Sequence, residues 1–162
     1  MKRYVSVILI WVMSFSLYGC GAGESKMSIY SDEERLTEEG DSYTFVDEEG
    51  EVTAERVRLK YRGFSGVYTP WHLSSTKDTT TTLQIEGKEK LGNFKLILVT
   101  ADKVETLWKG GKTKALTIQI PKGESMIRWV GQKSAGNLTM TLKGQEGLTV
   151  TASSNVIGNS KW

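Results

Sequence analysis

The sequence predicts an all-β fold, an antiparallel β-sandwich of about nine short strands, and three observations carry that expectation. Past Gly40 the apolar residues recur with a period of two, the spacing of a strand with one dry face. Turn residues interrupt these stretches at intervals of roughly 8–12 residues. Seventeen glycines accompany only two prolines, which supplies positive φ for tight turns, and no stretch keeps a long helical pattern.

The chain opens on Met1-Lys2-Arg3, continues through the apolar Val5, Val7, Ile8, Leu9, Ile10, Trp11, Val12 and Met13, and reaches Gly19 through small and polar residues. Basic, then apolar, then small is the order of a secretory signal. Residues 4–19 are too few for a permanent span, which takes roughly 20 apolar residues. The run ends in Leu17-Tyr18-Gly19-Cys20, which resembles the lipobox of bacterial lipoproteins at Leu17, Gly19 and Cys20, with Tyr18 where that motif has a small residue. The resemblance implies that residues 1–19 are a lipoprotein signal peptide. It also implies that Cys20, the only cysteine, takes a diacylglyceryl group and becomes the first residue of the mature chain. Two acyl chains hold a protein stably on a membrane, since each buried methylene contributes about 0.8 kcal/mol, so a cell-membrane location on the extracytoplasmic face is expected. No second cysteine remains for a disulfide, and stability must come from packing.

Residues 20–40 are polar and acidic, which predicts a flexible tether with an average reach of roughly 25 Å. Ser31 and Glu34 are spaced as a capping box for a short helix over Asp32–Glu39. The sandwich is expected over residues 41–152, and residues 153–162 as a C-terminal tail. Because the core residues lie past Gly40, a chain beginning there is expected to fold alone.

Tyr43 and Phe45 mark a first strand, and Gly50 the turn after it. Val57, Leu59 and Tyr61 alternate with Arg56, Arg58, Lys60 and Arg62, giving one apolar and one basic face. Phe64 to Leu73 and Thr79 to Ile85 follow, separated by the polar turn at residues 74–78. Phe94 to Thr100 is apolar enough for a central position, and Ala101-Asp102-Lys103 turns it into Val104 to Trp108. Leu116, Ile118 and Ile120 alternate, Pro121-Lys122-Gly123 turns, Met126 to Val130 follows, and Leu138, Met140 and Leu142 alternate again. Leu148 and Val150 can add one more strand.

Gly92-Asn93-Phe94-Lys95, the strand and turn from Val99 to Val104, Pro121-Lys122-Gly123 and Ile127-Arg128-Trp129-Val130-Gly131 occur in this order. In them the chain resembles, over roughly residues 41–143, the small β-sandwich domain of a set of uncharacterised lipoproteins from Gram-positive bacteria. That resemblance implies a jelly-roll-like topology and a ligand it does not name, and it transfers no functional residue.

The formal charge is +2, and without Lys2 and Arg3 the mature chain is neutral. Yet residues 21–60 hold 12 acidic and 5 basic side chains, and residues 61–162 hold 7 acidic and 14 basic. Either a basic face meets an anionic partner, or the acidic segment folds back and neutralises it; the second is the commoner arrangement. No nucleic-acid partner is expected, and the protein is expected to be a monomer.

Catalytic motifs are absent. The lone His72 falls on the polar side of its strand; Gly63-Phe64-Ser65-Gly66-Val67 lacks the last glycine of a nucleophile elbow; Lys109-Gly110-Gly111-Lys112-Thr113 lacks the first glycine of a phosphate loop. One histidine and one cysteine cannot build a zinc site, Asp47-Glu48-Glu49 lacks a calcium-loop spacing, and no metal or cofactor is expected. Among the aromatics, Trp71 and Trp129 share faces with Leu73 and Ile127 and are expected in the core. Trp108, at a strand end before Lys109-Gly110, is the expected exposed ring, and Trp108, Lys109, Tyr68 and His72 are the expected ligand-binding residues. The preferred function is a non-enzymatic, lipid-anchored module binding an envelope glycan or an anionic wall polymer. The alternative is a structural or accessory subunit of an envelope protein complex.

Overall fold

The computed structural model describes residues 22–111 and 113–153, so Leu17, Tyr18, Gly19, Cys20 and most of the C-terminal tail lie outside the described residues. Two short helices, α1 (Ala22–Ser28) and α2 (Glu33–Thr37), flank a 3-10 turn (Ile29–Ser31). Eight strands follow: β1 (Ser42–Thr44), β2 (Asp47–Val52), β3 (Arg56–Ser75), β4 (Thr79–Val99), β5 (Val104–Trp108), β6 (Lys114–Ile120), β7 (Gly123–Leu142) and β8 (Leu148–Ala152). The expected antiparallel sandwich is present, but about nine short strands become eight, because β3, β4 and β7 run for 20, 21 and 20 residues.

All eight strands belong to one sheet, in which β7 returns between β3 and β4 so that strands distant in sequence pair. The three long strands bend at the same level and divide this sheet into two leaves. The first leaf joins β2, Arg56–Tyr61 of β3, Gly136–Leu142 of β7, Leu83–Glu89 of β4, and β6. The second joins β8 and β1 to Val67–Ser75 of β3, then Gly123–Gln132 of β7, Asn93–Val99 of β4, and β5. One cluster fills the space between them, with Val57, Leu59, Leu83, Ile85 and Met140 from the first leaf and Trp71, Leu73, Leu96, Leu98 and Trp129 from the second, none more than 1% exposed. Trp71 Nε1–H closes the two leaves together by donating to the Thr53 carbonyl at 2.6 Å.

The bend has a backbone cause. Register shifts fall at Tyr61/Phe64 and Phe64/Gly66 in β3 and at Glu89/Leu91 and Leu91/Asn93 in β4. Positive φ occurs at the same level in each long strand: Gly63 and Gly66 in β3, Gly92 (φ +71) in β4, and Lys133 (φ +49) in β7. Bulges of this kind kink a strand without ending its pairing. The sequence places separate short strands on either side of this level, but here each strand passes through it.

The basic side of β3 faces solvent as expected, with Val57, Leu59 and Tyr61 buried beneath it. β2 brings the acidic segment alongside: Glu51 contacts Arg56 at 3.2 Å, Asp47 approaches Arg62 at 3.9 Å, and Glu49 is in register with Lys60. On this strand the segregated charges neutralise one another. These exposed pairs contribute little stability individually, about 0–1 kcal/mol.

Two outcomes follow. At Gly92 a side chain would meet the carbonyls of Gln132 and Lys133 and would also have to hold φ +71. Gly92→Ala should therefore cost about 1–3 kcal/mol in urea unfolding, with the strand content of the folded state retained. Glu89, opposite Gly136 at the bend, has its Oε1 buried without a partner. Burial raises its carboxyl above the ordinary 4.5, and a backbone hydrogen bond from Phe94 opposes the rise. The folded state then binds the proton more tightly, so stability present at low pH is lost as pH climbs from about 4.5 through the raised value. Glu89→Gln should melt like the parent near pH 4 and above it at pH 7.

Candidate functional site

The acidic N-terminal stretch contains two apolar residues seven apart, Ile29 and Leu36, and both are 1% exposed. They pack on Val67, Ile97, Val99 and Val130, the outer face of the second leaf. The segment expected as a flexible tether is thus a folded layer from Ala22 onward. The residue that starts α2 is Asp32 rather than Ser31, its carboxylate accepting the Arg35 N–H at 3.3 Å, and α2 ends at Thr37 rather than Glu39. Arg35 Nη1 in turn donates to the Ser25 carbonyl at 3.0 Å and ties α2 to α1.

Arg128 fastens this layer. It follows the inward Ile127 and precedes the inward Trp129, so it points outward, yet it is fully buried because the N-terminal layer covers it. Nε donates to Thr69 Oγ1 at 2.9 Å, and Nη1 donates to the carbonyls of Leu36 and Glu38, each at 2.8 Å. Nη2 donates to the Gly40 carbonyl and reaches Asp41 Oδ1 at 3.5 Å, while Thr69 Oγ1 donates to that same oxygen at 2.7 Å. These contacts account for the guanidinium's five donors and balance its charge with Asp41. Burial lowers the Arg128 pKa, and Asp41 opposes the fall.

Between α2 and the β4–β5 turn the layer leaves a groove of about 1070 Å³. One row across the sheet, His72–Met126–Val99–Val104 in register, forms its floor. Thr100 shapes the turn on the far wall: its N–H donates to the Lys103 carbonyl at 2.9 Å, and its Oγ1 accepts the Lys103 N–H at 3.2 Å. Five carboxylates line the groove, from Glu33, Glu34, Glu39, Asp102 and Glu124, against Lys95 and Lys103. Both lysines are engaged. Lys103 Nζ meets Glu105 at 2.8 Å, and Lys95 Nζ lies 4.8 Å from the Tyr30 ring centre. Burial lowers the Lys95 pKa, Lys109 adds to that, and Glu33 opposes it. Ser74 donates to Glu124 at 2.6 Å rather than to His72.

Of the four expected ligand-binding residues, only His72 lies in this groove. Trp108 is 5% exposed and packs edge-on to Phe94 at 6.0 Å in the core, so it is no platform for a ligand. Tyr68 is 1% exposed against Trp129 at 5.3 Å. Lys109 is exposed beyond the end of β5, three strands from β3, or roughly 14 Å, and does not join His72. Trp71 and Trp129 are in the core as expected. Among the described residues no group of three His, Cys, Asp or Glu side chains could hold a metal ion.

No protein-family model matches the chain, and no curated protein sequence does. Among solved structures, one that matches is a family 35 carbohydrate binding module from an environmental isolate, 20% identical, with a TM-score of 0.36, covering 68% of this chain and 82% of that one.

Removing residues 22–40 would expose Val67, Ile97, Val99 and Val130 and strand the Arg128 donors, so a chain beginning at Gly40 should be destabilised rather than independent. Arg128→Ala leaves three carbonyls and Asp41 without their partner. It should cost about 3–5 kcal/mol in urea unfolding and open residues 22–40 to protease before the rest of the domain.

Proposed function

We propose that this chain is a lipid-anchored, extracytoplasmic binding module that holds a glycan in the groove between α2 and the β4–β5 turn. The groove carries the reading. Its floor offers Met126 and Val104 to the apolar C–H face of a sugar ring, and its walls offer carboxylate acceptors and the His72 ring to hydroxyls. Its volume, about 1070 Å³, suits a short run of sugar units. The excess of carboxylates over lysines favours a neutral or amine-bearing glycan over the anionic wall polymer. The basic residues of β3, already opposed by β2, give an anionic polymer little to bind. Attachment rests on Leu17, Gly19 and Cys20 at the end of the apolar run. The preference for binding over catalysis rests on the sequence, whose approaches to a nucleophile elbow and a phosphate loop each lack a required glycine.

Binding of purified wall and capsule glycans to the full mature chain, followed by calorimetry, checks the groove. His72→Ala and Glu124→Gln should each weaken binding roughly tenfold, the loss of one good hydrogen bond to a charged or polar group, with Thr82→Ala on the first leaf as a silent control. Equal binding by all of these variants would move the ligand elsewhere. Mass spectrometry of the mature N-terminus checks the anchor, and an unmodified Cys20 would remove it.

A further inference from the structure

The bend in the long strands brings together the two most exposed large apolar side chains among the described residues, Val46 (71%) and Leu91 (67%). Val46 donates its N–H to the Arg62 carbonyl at 2.9 Å, and Leu91, Lys90 and Arg62 line one cleft of about 500 Å³. Lys133 belongs to the same ridge, its carbonyl lying against Gly92. The Arg62 side chain is 66% exposed, and Lys90 and Lys133 are exposed. Asp47, 3.9 Å from Arg62, lines the cleft together with Glu48, Glu49 and Lys60, so the cleft holds as many carboxylates as cations.

The N-terminus of the folded layer is bound to the same end. Lys26 Nζ donates to the Tyr43 carbonyl at 3.1 Å, and Tyr43 pairs with Gly66 at the bend. Lys26 stands four residues beyond Ala22, the first residue of α1, and Cys20 two before it, a reach of about 13 Å at most. With no long tether between anchor and fold, the lipid fixes which end of the sandwich meets the bilayer.

We propose that the bend ridge of Val46, Arg62, Lys90, Leu91 and Lys133 is the membrane-facing surface of this protein, seated on the lipid headgroup layer. The proposal rests on Cys20 acylation. Apolar side chains beside a headgroup layer enter the interface, and the stems of lysine and arginine lie along it with their charges in water. The groove beside the β4–β5 turn lies at the far end of β4 from the bend, which leaves it open to the wall side.

With Cys20 acylated, an introduced cysteine is the only free thiol, which makes a direct measurement possible in membranes of cells expressing the full chain. A polarity-sensitive thiol dye is placed at Leu91→Cys, at Val46→Cys, and at Lys122→Cys in the β6–β7 turn. Lipids carrying a nitroxide quencher are then added. The dyes at positions 91 and 46 should shift to the blue and be quenched, and the dye at position 122 should not. If position 91 is quenched no more than position 122 in protein whose Cys20 is acylated by mass spectrometry, the orientation is wrong and the anchor stands. A free Cys20 thiol in the membrane-extracted protein overturns both.

Discussion

The buried Arg128 guanidinium is the constraint on which the outer half of this structure depends. A sheet leaf with Val67, Ile97, Val99 and Val130 on its outside face needs a cover, and among the described residues 22–37 supply it. Two apolar side chains, Ile29 and Leu36, are a small adhesive for such a layer. Arg128 adds donors aimed at the carbonyls where α2 ends, so the irregular backbone from Leu36 to Gly40 is satisfied without water. The cost of burying the charge is met by Asp41, which Thr69 also holds in place. Because the same carbonyls terminate α2, the residue that fixes the layer also sets one wall of the groove.

The second organising feature is that both leaves are made from the same three strands. A sandwich assembled from separate sheets needs connections that cross between layers; here β3, β4 and β7 carry their hydrogen bonding through the fold line, with positive φ at Gly63, Gly66, Gly92 and Lys133 turning each one. The open end of the sandwich receives the turns, such as the Thr53 carbonyl that accepts from Trp71. The bend end receives exposed Val46 and Leu91. The two ends therefore differ in chemistry as well as in shape.

Period-two alternation was enough to find the inward faces at Val57-Leu59-Tyr61, Ile118-Ile120 and Leu138-Met140-Leu142, because those stretches have one wet side. Where both sides are dry it still marked a strand at Phe64 to Leu73 but missed that this strand continues from Val57–Tyr61, since Phe64 to Trp71 is buried throughout and shows no alternation. Trp108 was misplaced because a register shift between Leu96 and Ile97 turns two successive residues of β5, Leu107 and Trp108, into the core, which alternation forbids. Arg128 sat correctly on the outer side of its strand, but outer does not mean solvated when another layer lies above. The signal for that layer was present in the seven-residue spacing of Ile29 and Leu36, outweighed by the acidity around them. The groove, with walls from residues 33–39 and 100–106 and a floor from three strands, has no local signature at all.

The partners of Arg128 lie 92, 90 and 88 residues before it in the chain, and that separation imposes an order of events. As the protein is made from its N-terminus, the surface under residues 22–40 stays incomplete until β7 joins β3 to β4, and at about 5–20 residues per second that wait lasts roughly 4–18 s. For that interval the layer waits on a strand far behind it in the chain, and once β7 arrives Arg128 locks it against the sheet.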